Sequence, residues 1–191
     1  MSPFEAAAAF AVAVVLVVLG FIAVASYNAV VALRQRIDKA WANIDVVLKQ
    51  RHDQLPNLVA AVGGLMAYER DVLTRVTEAR AAYAPTAPIP DQAATSEATS
   101  AAVRSLFAVV ERYADLKAGS NVQDLQDEIE RLEAMIAARR ELYNDQVYRY
   151  NTRITQFPGA MLAPVFGWRP REFFAAEPGA TAVPDADLGS A

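Results

Sequence analysis

Very little of this chain could do chemistry. It has one histidine and no cysteine, which excludes disulfides, thiolate metal sites and cysteine nucleophiles. The lone histidine, His52, lacks the Glu-x-x-His companions that carboxylate metal centres use. Its neighbour Asp53 is no partner either, because adjacent helix positions do not face each other. More informative are charged residues that stand where an apolar one is due. Arg51, Glu69 and Arg139 each interrupt an apolar series, and Glu111 lies close beside another. Such residues can form a buried site with perturbed protonation. They can equally form cross-helix pairs that fix which helix meets which and in what register. The registry reading is preferred, with Arg139 or Arg140 expected to pair with Glu111. Asn144 and Asn151, seven residues apart, share one helix face and are expected to add hydrogen bonds to the same network.

Other groups read as structural. The acidic run Asp124, Asp127, Glu128, Glu130 and Glu133, with Arg131 among it, reads as a solvated helix face. Phe166, Trp168, Phe173 and Phe174 read as an aromatic cap on a core. Gly-rich phosphate loops and nucleophile elbows are absent, so the chain is expected to be no enzyme and to use no cofactor or metal. A net charge of −4 argues against nucleic acid as a partner.

The elements that must carry these residues are helices. Ile37, Trp41, Ile44, Leu48, Leu55, Leu58, Val62, Leu65, Val72 and Val76 form a heptad-like stripe with steps of three and four, in which Arg51 and Glu69 occupy two of the seam positions. Pro56 falls inside the stripe without changing its phase, which predicts a kink within one rod rather than a break. The Gly63-Gly64 pair suggests close approach by a neighbouring helix. The rod is expected over about 27–83, followed by a Pro-rich linker at Pro85, Pro88 and Pro90. A second helix is expected over about 91–117 and a third over about 122–157, the latter striped by Leu125, Ile129, Leu132, Ile136, Tyr143, Val147, Tyr150, Ile154 and Phe157. Gly119 is a natural stop between them. A short segment, 160–166, follows, and 176–191 has the composition of a disordered tail. Short connections between long helices imply an antiparallel three-helix bundle with a short helical cap. The first helix is longer than either the second or the third, which leaves two alternatives open: a stripe covered within one chain, or one partly shared between chains.

Ala6–Ala25 is twenty residues without a charge; as a helix it would span roughly 30 Å, the thickness of a bilayer's hydrocarbon core. Ala23-Val24-Ala25 resembles a signal-peptidase site, but no basic residue precedes the run and the run exceeds a signal-peptide core. A retained transmembrane anchor, residues 1–26 with an outward N-terminus, is expected. Arg34, Arg36 and Lys39 follow the span closely and place the body, 27–175, in the cytoplasm by the positive-inside rule.

Several short stretches resemble the LemA family. They include Tyr27-Asn28, Ala40-Trp41, Ile44-Asp45-Val46, Arg51, and Leu55-Pro56-Asn57-Leu58-Val59. Glu69, Ala79-Arg80, Glu111 with Tyr113, Leu116-Lys117 and Glu133 follow in order, then Tyr143-Asn144, Tyr150-Asn151, Phe157-Pro158 and Phe173-Phe174. The resemblance implies a bacterial, single-pass inner-membrane protein with a helical-bundle body and no established biochemical activity. Some members of that family belong to magnetosome membranes, which implies a role in organising membrane. Two departures stand at Ala114, where the family tends to have proline, and Tyr68, where it commonly has histidine; the second weakens any borrowed His–Glu site. The expected function is therefore a membrane-anchored scaffold whose partners are the lipid bilayer, further copies of itself as a homo-oligomer, or an unidentified protein. The alternative is a monomeric accessory or sensor protein in cell-envelope stress or proteolysis.

Overall fold

The computed structural model of the chain describes residues 2–63, 69–113 and 120–175, with Ser120 described by its backbone alone. Every regular element among them is a helix: α1 (Pro3–Gly63), α2 (Arg70–Ala81), α3 (Ile89–Val110), α4 (Ser120–Thr155) and α5 (Gly159–Phe166). The protein is all-α, with one long apolar N-terminal helix that runs without interruption into the amphipathic stretch.

Local chemistry explains the starts and stops. α1 opens on a capping box: Glu5 donates its backbone N–H to Ser2 Oγ at 3.3 Å, and Ser2 N–H reaches Glu5 Oε2 at 2.7 Å. Pro3 takes the first helical position, where its missing N–H is not needed. Pro56 stays inside α1, as its preserved stripe phase suggested. α3 begins with Pro88 before it and Pro90 in its first turn, two residues earlier than Asp91. Gly167, with φ of 65°, closes α5 in a left-handed conformation that suits glycine. Gly159 is needed for a different reason: a Cβ there would collide with the backbone carbonyl of Arg153.

The main difference from the sequence reading lies after Gly63. A single helix was expected to about Tyr83, but α1 ends at Gly63 and α2 runs back beside it. Pro56, Val59 and Ala60 of α1 share a groove with Val76, Thr77 and Arg80 of α2, and the Tyr83 ring lies 4.7 Å from that of His52. Glycine weakens a helix by about 1 kcal/mol per residue, which makes Gly63 a natural end, and Glu69 enters α2 with a non-helical backbone (φ −103°, ψ 42°). Gly64, Leu65, Tyr68, Ala114, Leu116-Lys117, Gly119 and the 176–191 tail lie outside the described residues.

Two compact units divide the chain. The first joins the described residues up to Ala40 with Asp145–Arg171; the second joins Trp41–Asn144 with the described residues from Glu172. In the second, the end of α1, α2, α3 and the first part of α4 enclose Leu55, Leu58, Val62, Val76, Val103, Leu106, Val110, Val122 and Ile129. α1 and α4 are antiparallel there, since Arg51 meets Glu133 while Asn43 meets Arg139. In the first unit Val30, Ile37, Val147, Tyr150 and Ile154 are buried, with Trp168. Among the described residues, the members of both stripes are buried or, at Trp41, Val72 and Leu125, half-buried, except Phe157, expected as the last member of the third helix's stripe, which is 78% exposed because α4 ends at Thr155.

Candidate functional site

The centre of the second unit is polar. Arg51 sits on the stripe of α1 between Leu48 and Leu55 and is 3% exposed. A guanidinium cannot be left there unpartnered without a penalty of several kcal/mol, roughly the cost of stranding a buried charge. Its Nη1 donates to Glu133 Oε1 at 2.7 Å and to Ser100 Oγ at 2.8 Å. Nη2 donates to Ser96 Oγ at 3.0 Å and to the Ser96 carbonyl at 3.3 Å. Ser100 in turn donates its hydroxyl to Glu133 Oε2 at 2.6 Å. Three helices, α1, α3 and α4, thus close one charge-assisted network.

The fold makes room for this group in the part of α3 whose sequence has little apolar pattern. Gln92, Ser96, Thr99 and Ser100 are all buried. Their spacing is helical, so they form one face, and small hydroxyl side chains admit the guanidinium where leucines would exclude it. Ser96 and Ser100 were not singled out from the sequence, and Glu133 was assigned to a solvated acidic face. It is instead the 28%-exposed partner of Arg51. The available signal was the four-residue repeat of uncharged polar residues, Gln92-Ser96-Ser100, opposite a stripe interrupted by arginine.

Two small cavities flank the network. One of about 20 Å³ is lined by Arg51, Tyr83, Gln92, Ser96 and Thr99, and one of about 10 Å³ by Arg51, His52, Arg80, Tyr83 and Thr99. Each has room on the scale of one water molecule, and Gln92 Oε1, His52 Nδ1 and Arg80 Nε are buried without a protein partner. Burial, and then the positive charge of Arg80, holds the His52 pKa below its ordinary value, with Asp53 opposing. Burial and the nearby Asp45 carboxylate raise that of Tyr83, whose hydroxyl is 3.5 Å from Asp45 Oδ1.

The remaining residues expected in a polar network are spread over the fold. Glu69 Oε1 receives Arg112 Nη2 and the Tyr113 hydroxyl, each at 3.4 Å. Arg139 donates to the Asn43 carbonyl at 2.6 Å, and Arg140 stands 4.0 Å from Glu97; the sequence suggested Glu111 for these two arginines. Glu111 itself caps the end of α3, its N–H donating to the Phe107 carbonyl. Arg34, Arg36 and Lys39 are exposed on α1.

Asn144 and Asn151 do share a role, one in each unit. Asn144 accepts the Phe174 N–H at 2.8 Å and donates to the Phe174 carbonyl at 3.3 Å. Asn151 does the same with Arg171, at 2.8 and 2.9 Å. The tyrosine before each asparagine adds a further bond, Tyr143 to the Glu172 carbonyl at 3.0 Å and Tyr150 to the Arg169 carbonyl at 3.1 Å. Each side-chain amide therefore behaves as the edge of a strand would, satisfying both backbone groups of one residue of the extended segment after α5. Trp41 packs on Tyr143 and Phe174, so the expected aromatic cap is real at Phe174 and Trp168, both buried, whereas Phe166 is 45% exposed.

Every partner in these networks belongs to the fold itself, and no three His, Asp or Glu side chains among the described residues converge as a metal would require. An all-helical body with buried registry pairs, carried on an uncovered apolar helix, defines a class of membrane-associated helical-bundle proteins. The chain belongs to the LemA family, whose family model matches residues 40–187. It is also similar to the magnetosome proteins MamQ 2 and MamQ 1 of Paramagnetospirillum magneticum (strain AMB-1), each 34% identical over 77 residues, and to magnetosome protein MamQ of Magnetospirillum gryphiswaldense (strain MSR-1), 30% identical over 77 residues. Each match covers 40% of this chain and 28% of the relative's own length.

Proposed function

We propose that the chain is a membrane-anchored scaffold: Ala6–Ala25 crosses the bilayer, the helical body lies on the cytoplasmic side, and its surface acts by self-association on the membrane rather than by catalysis. One observation supports the anchored part of this reading. No residue of the most apolar window of α1 is covered by protein, and the first buried residue of the helix is Ser26, immediately after the uncharged run. Protein cover begins where lipid cover would end. Arg34, Arg36 and Lys39 support the cytoplasmic side.

The interior supports a binding role over a catalytic one. Arg51, the buried charge that stood out in sequence, is engaged in holding α1, α3 and α4 in register, and Glu69 and Arg139 bond other groups of the fold. The groove between α1 and α2, about 270 Å³, is lined mainly by Leu55, Pro56, Val59, Ala60 and Val76, slightly below the usual range for small-molecule pockets, about 300–1,000 Å³. The relatives' designation as magnetosome proteins extends the proposal to the organisation of membrane. Light scattering of the full chain in a mild detergent tests it. A defined multimer is expected; a monomer at every concentration would overturn self-association and favour the accessory or sensor role in cell-envelope stress or proteolysis.

A further inference from the structure

The segment Gln156–Trp168 contains no charged residue, and it presents an unusual surface. Phe157 is 78% exposed, Met161 68%, Val165 75% and Phe166 45%. Four large apolar side chains thus face outward within ten residues. Among the described residues outside the apolar half of α1, the other exposed large hydrophobics are Tyr27, which adjoins the patch, and the scattered Val46, Leu142 and Tyr148, which need no explanation. A concentrated patch does.

Its position in the first unit says what covers it. The Phe166 ring lies 5.0 Å from that of Tyr27 and stacks at 5.2 Å on Trp168, and Trp168 is 6.2 Å from Tyr27. Tyr27 is the second residue beyond Ala25, the end of the uncharged run, so it stands about 3 Å further along the helix axis. Tyrosine and tryptophan concentrate at this level of a membrane, where an apolar ring meets the headgroups. The C-terminal end of α5 is therefore level with the end of the span. Arg153 precedes the patch and Arg169 follows it, suited to reach lipid phosphates while their stems lie along apolar surface; Arg171 instead stands 3.8 Å from Asp38 of α1.

We propose that α5, with Phe157, is an interfacial foot: Phe157, Met161, Val165 and Phe166 enter the headgroup–acyl boundary of the leaflet in which the span ends. The protein then touches the bilayer twice, through the span and through α5. The tight Gly159 turn and the left-handed Gly167 hold the foot at both ends, and the Asn151 clamp on Arg171 ties the chain that follows it to α4. An interfacial helix buries its apolar face about 5–10 Å into the boundary region, which this short helix can do without crossing. A second contact also restricts tilt of the span, since α5 and α1 meet through Tyr27.

The inference rests on reading Ala6–Ala25 as a span, and its test separates the two. Because the chain has no cysteine, single substitutions Met161→Cys, Val165→Cys, Val15→Cys and Leu142→Cys in the full chain each give one unique spin-label site. The labelled proteins are reconstituted in vesicles of phosphatidylcholine and phosphatidylglycerol. Collision with oxygen, which concentrates in lipid, is compared with collision with a water-soluble nickel chelate. Labels at 161 and 165 are expected to favour oxygen over nickel several-fold more than the label at 142, and less than the label at 15. Labels at 161 and 165 that match 142 while 15 remains in lipid would overturn the foot and leave the span intact. Low access to both reagents at 161 and 165 would mean that protein covers the patch, and would also overturn it. A label at 15 that matches 142 would remove both the foot and the span.

Discussion

The two halves of α1 obey different rules within one unbroken helix. From Ala6 to Ala25 the side chains are apolar on every face and none of the large ones is buried; from Ser26 to Val62 burial returns mainly at steps of three, four and seven, at Val30, Ile37, Ile44, Leu48, Arg51, Leu55, Leu58 and Val62, with Val47 buried beside them. A helix that is apolar all round needs an apolar solvent, whereas a striped one needs partners. The change occurs without a break in backbone, so the environment changes and the secondary structure does not.

The contrast can be broken most severely at Arg51. Glu133→Ala leaves that guanidinium buried with only neutral acceptors, and is expected to destabilise the body by about 3–5 kcal/mol in denaturant unfolding. The double replacement Arg51→Met with Glu133→Leu is expected to recover most of this loss, because two apolar residues need no partner. Next comes a matched pair of truncations. Leu58→Ala opens a cavity in a filled core and should cost about 2–5 kcal/mol; Leu16→Ala, 63% exposed to what surrounds the span, should leave unfolding of the body unchanged. A matched pair of charges sharpens the comparison in the other direction. Val15→Arg is expected to disfavour membrane insertion by about 2.5–3.5 kcal/mol, measured as loss of protein from the membrane fraction. Val46→Arg, at a position 53% exposed in the striped half, should stay in that fraction and fold normally.

Outside α1, Asn151→Ala removes two hydrogen bonds to Arg171 and should cost about 1–3 kcal/mol, since each is worth about 0.5–1.5. The smallest effect is a pH dependence. The His52 pKa lies below its ordinary 6.5 in the folded protein, through burial first and Arg80 second. As pH falls through about 6.5, the unfolded chain takes up a proton that the folded chain resists, so stability falls until the folded pKa is passed. His52→Gln should therefore reduce the drop in melting temperature between about pH 7.5 and pH 5, a result that acidic groups alone would not give.

How much of this was legible follows from what periodicity can encode. Most of the buried face of α1 was readable, because Ile37, Ile44, Leu48, Leu55, Leu58 and Val62 repeat at helical spacing and Arg51 stood out for interrupting them; Val30 and Val47, also buried, fall outside that series. The identity of its partner was not. Glu133 sits among Asp127, Glu128 and Glu130, and local composition does not distinguish the carboxylate that turns inward from those that face water. The reversal after Gly63 was hidden for a related reason: Val72 and Val76 keep the spacing, and a helix folded back on its neighbour buries the same stripe as one that continues. Asn144 and Asn151 were recognisable as a pair on one face, yet their partners are backbone groups of an extended segment without any repeat. The uncharged run to Ala25 needed no partner to be recognised. The exposed face of α5 stayed hidden because exposure depends on which way the chain turns after α4 ends at Thr155.

The most direct test of the account is a cysteine scan along α1 in native membranes, read by labelling with a charged maleimide that does not enter lipid. The account predicts uniform protection from Phe10 to Val24, then alternating protection and reactivity with helical period from Ile37 to Val62, with the change near Ser26. Helical periodicity continuing upstream of Ser26, or uniform reactivity there, would mean that protein or water surrounds the first half of α1, and would contradict it.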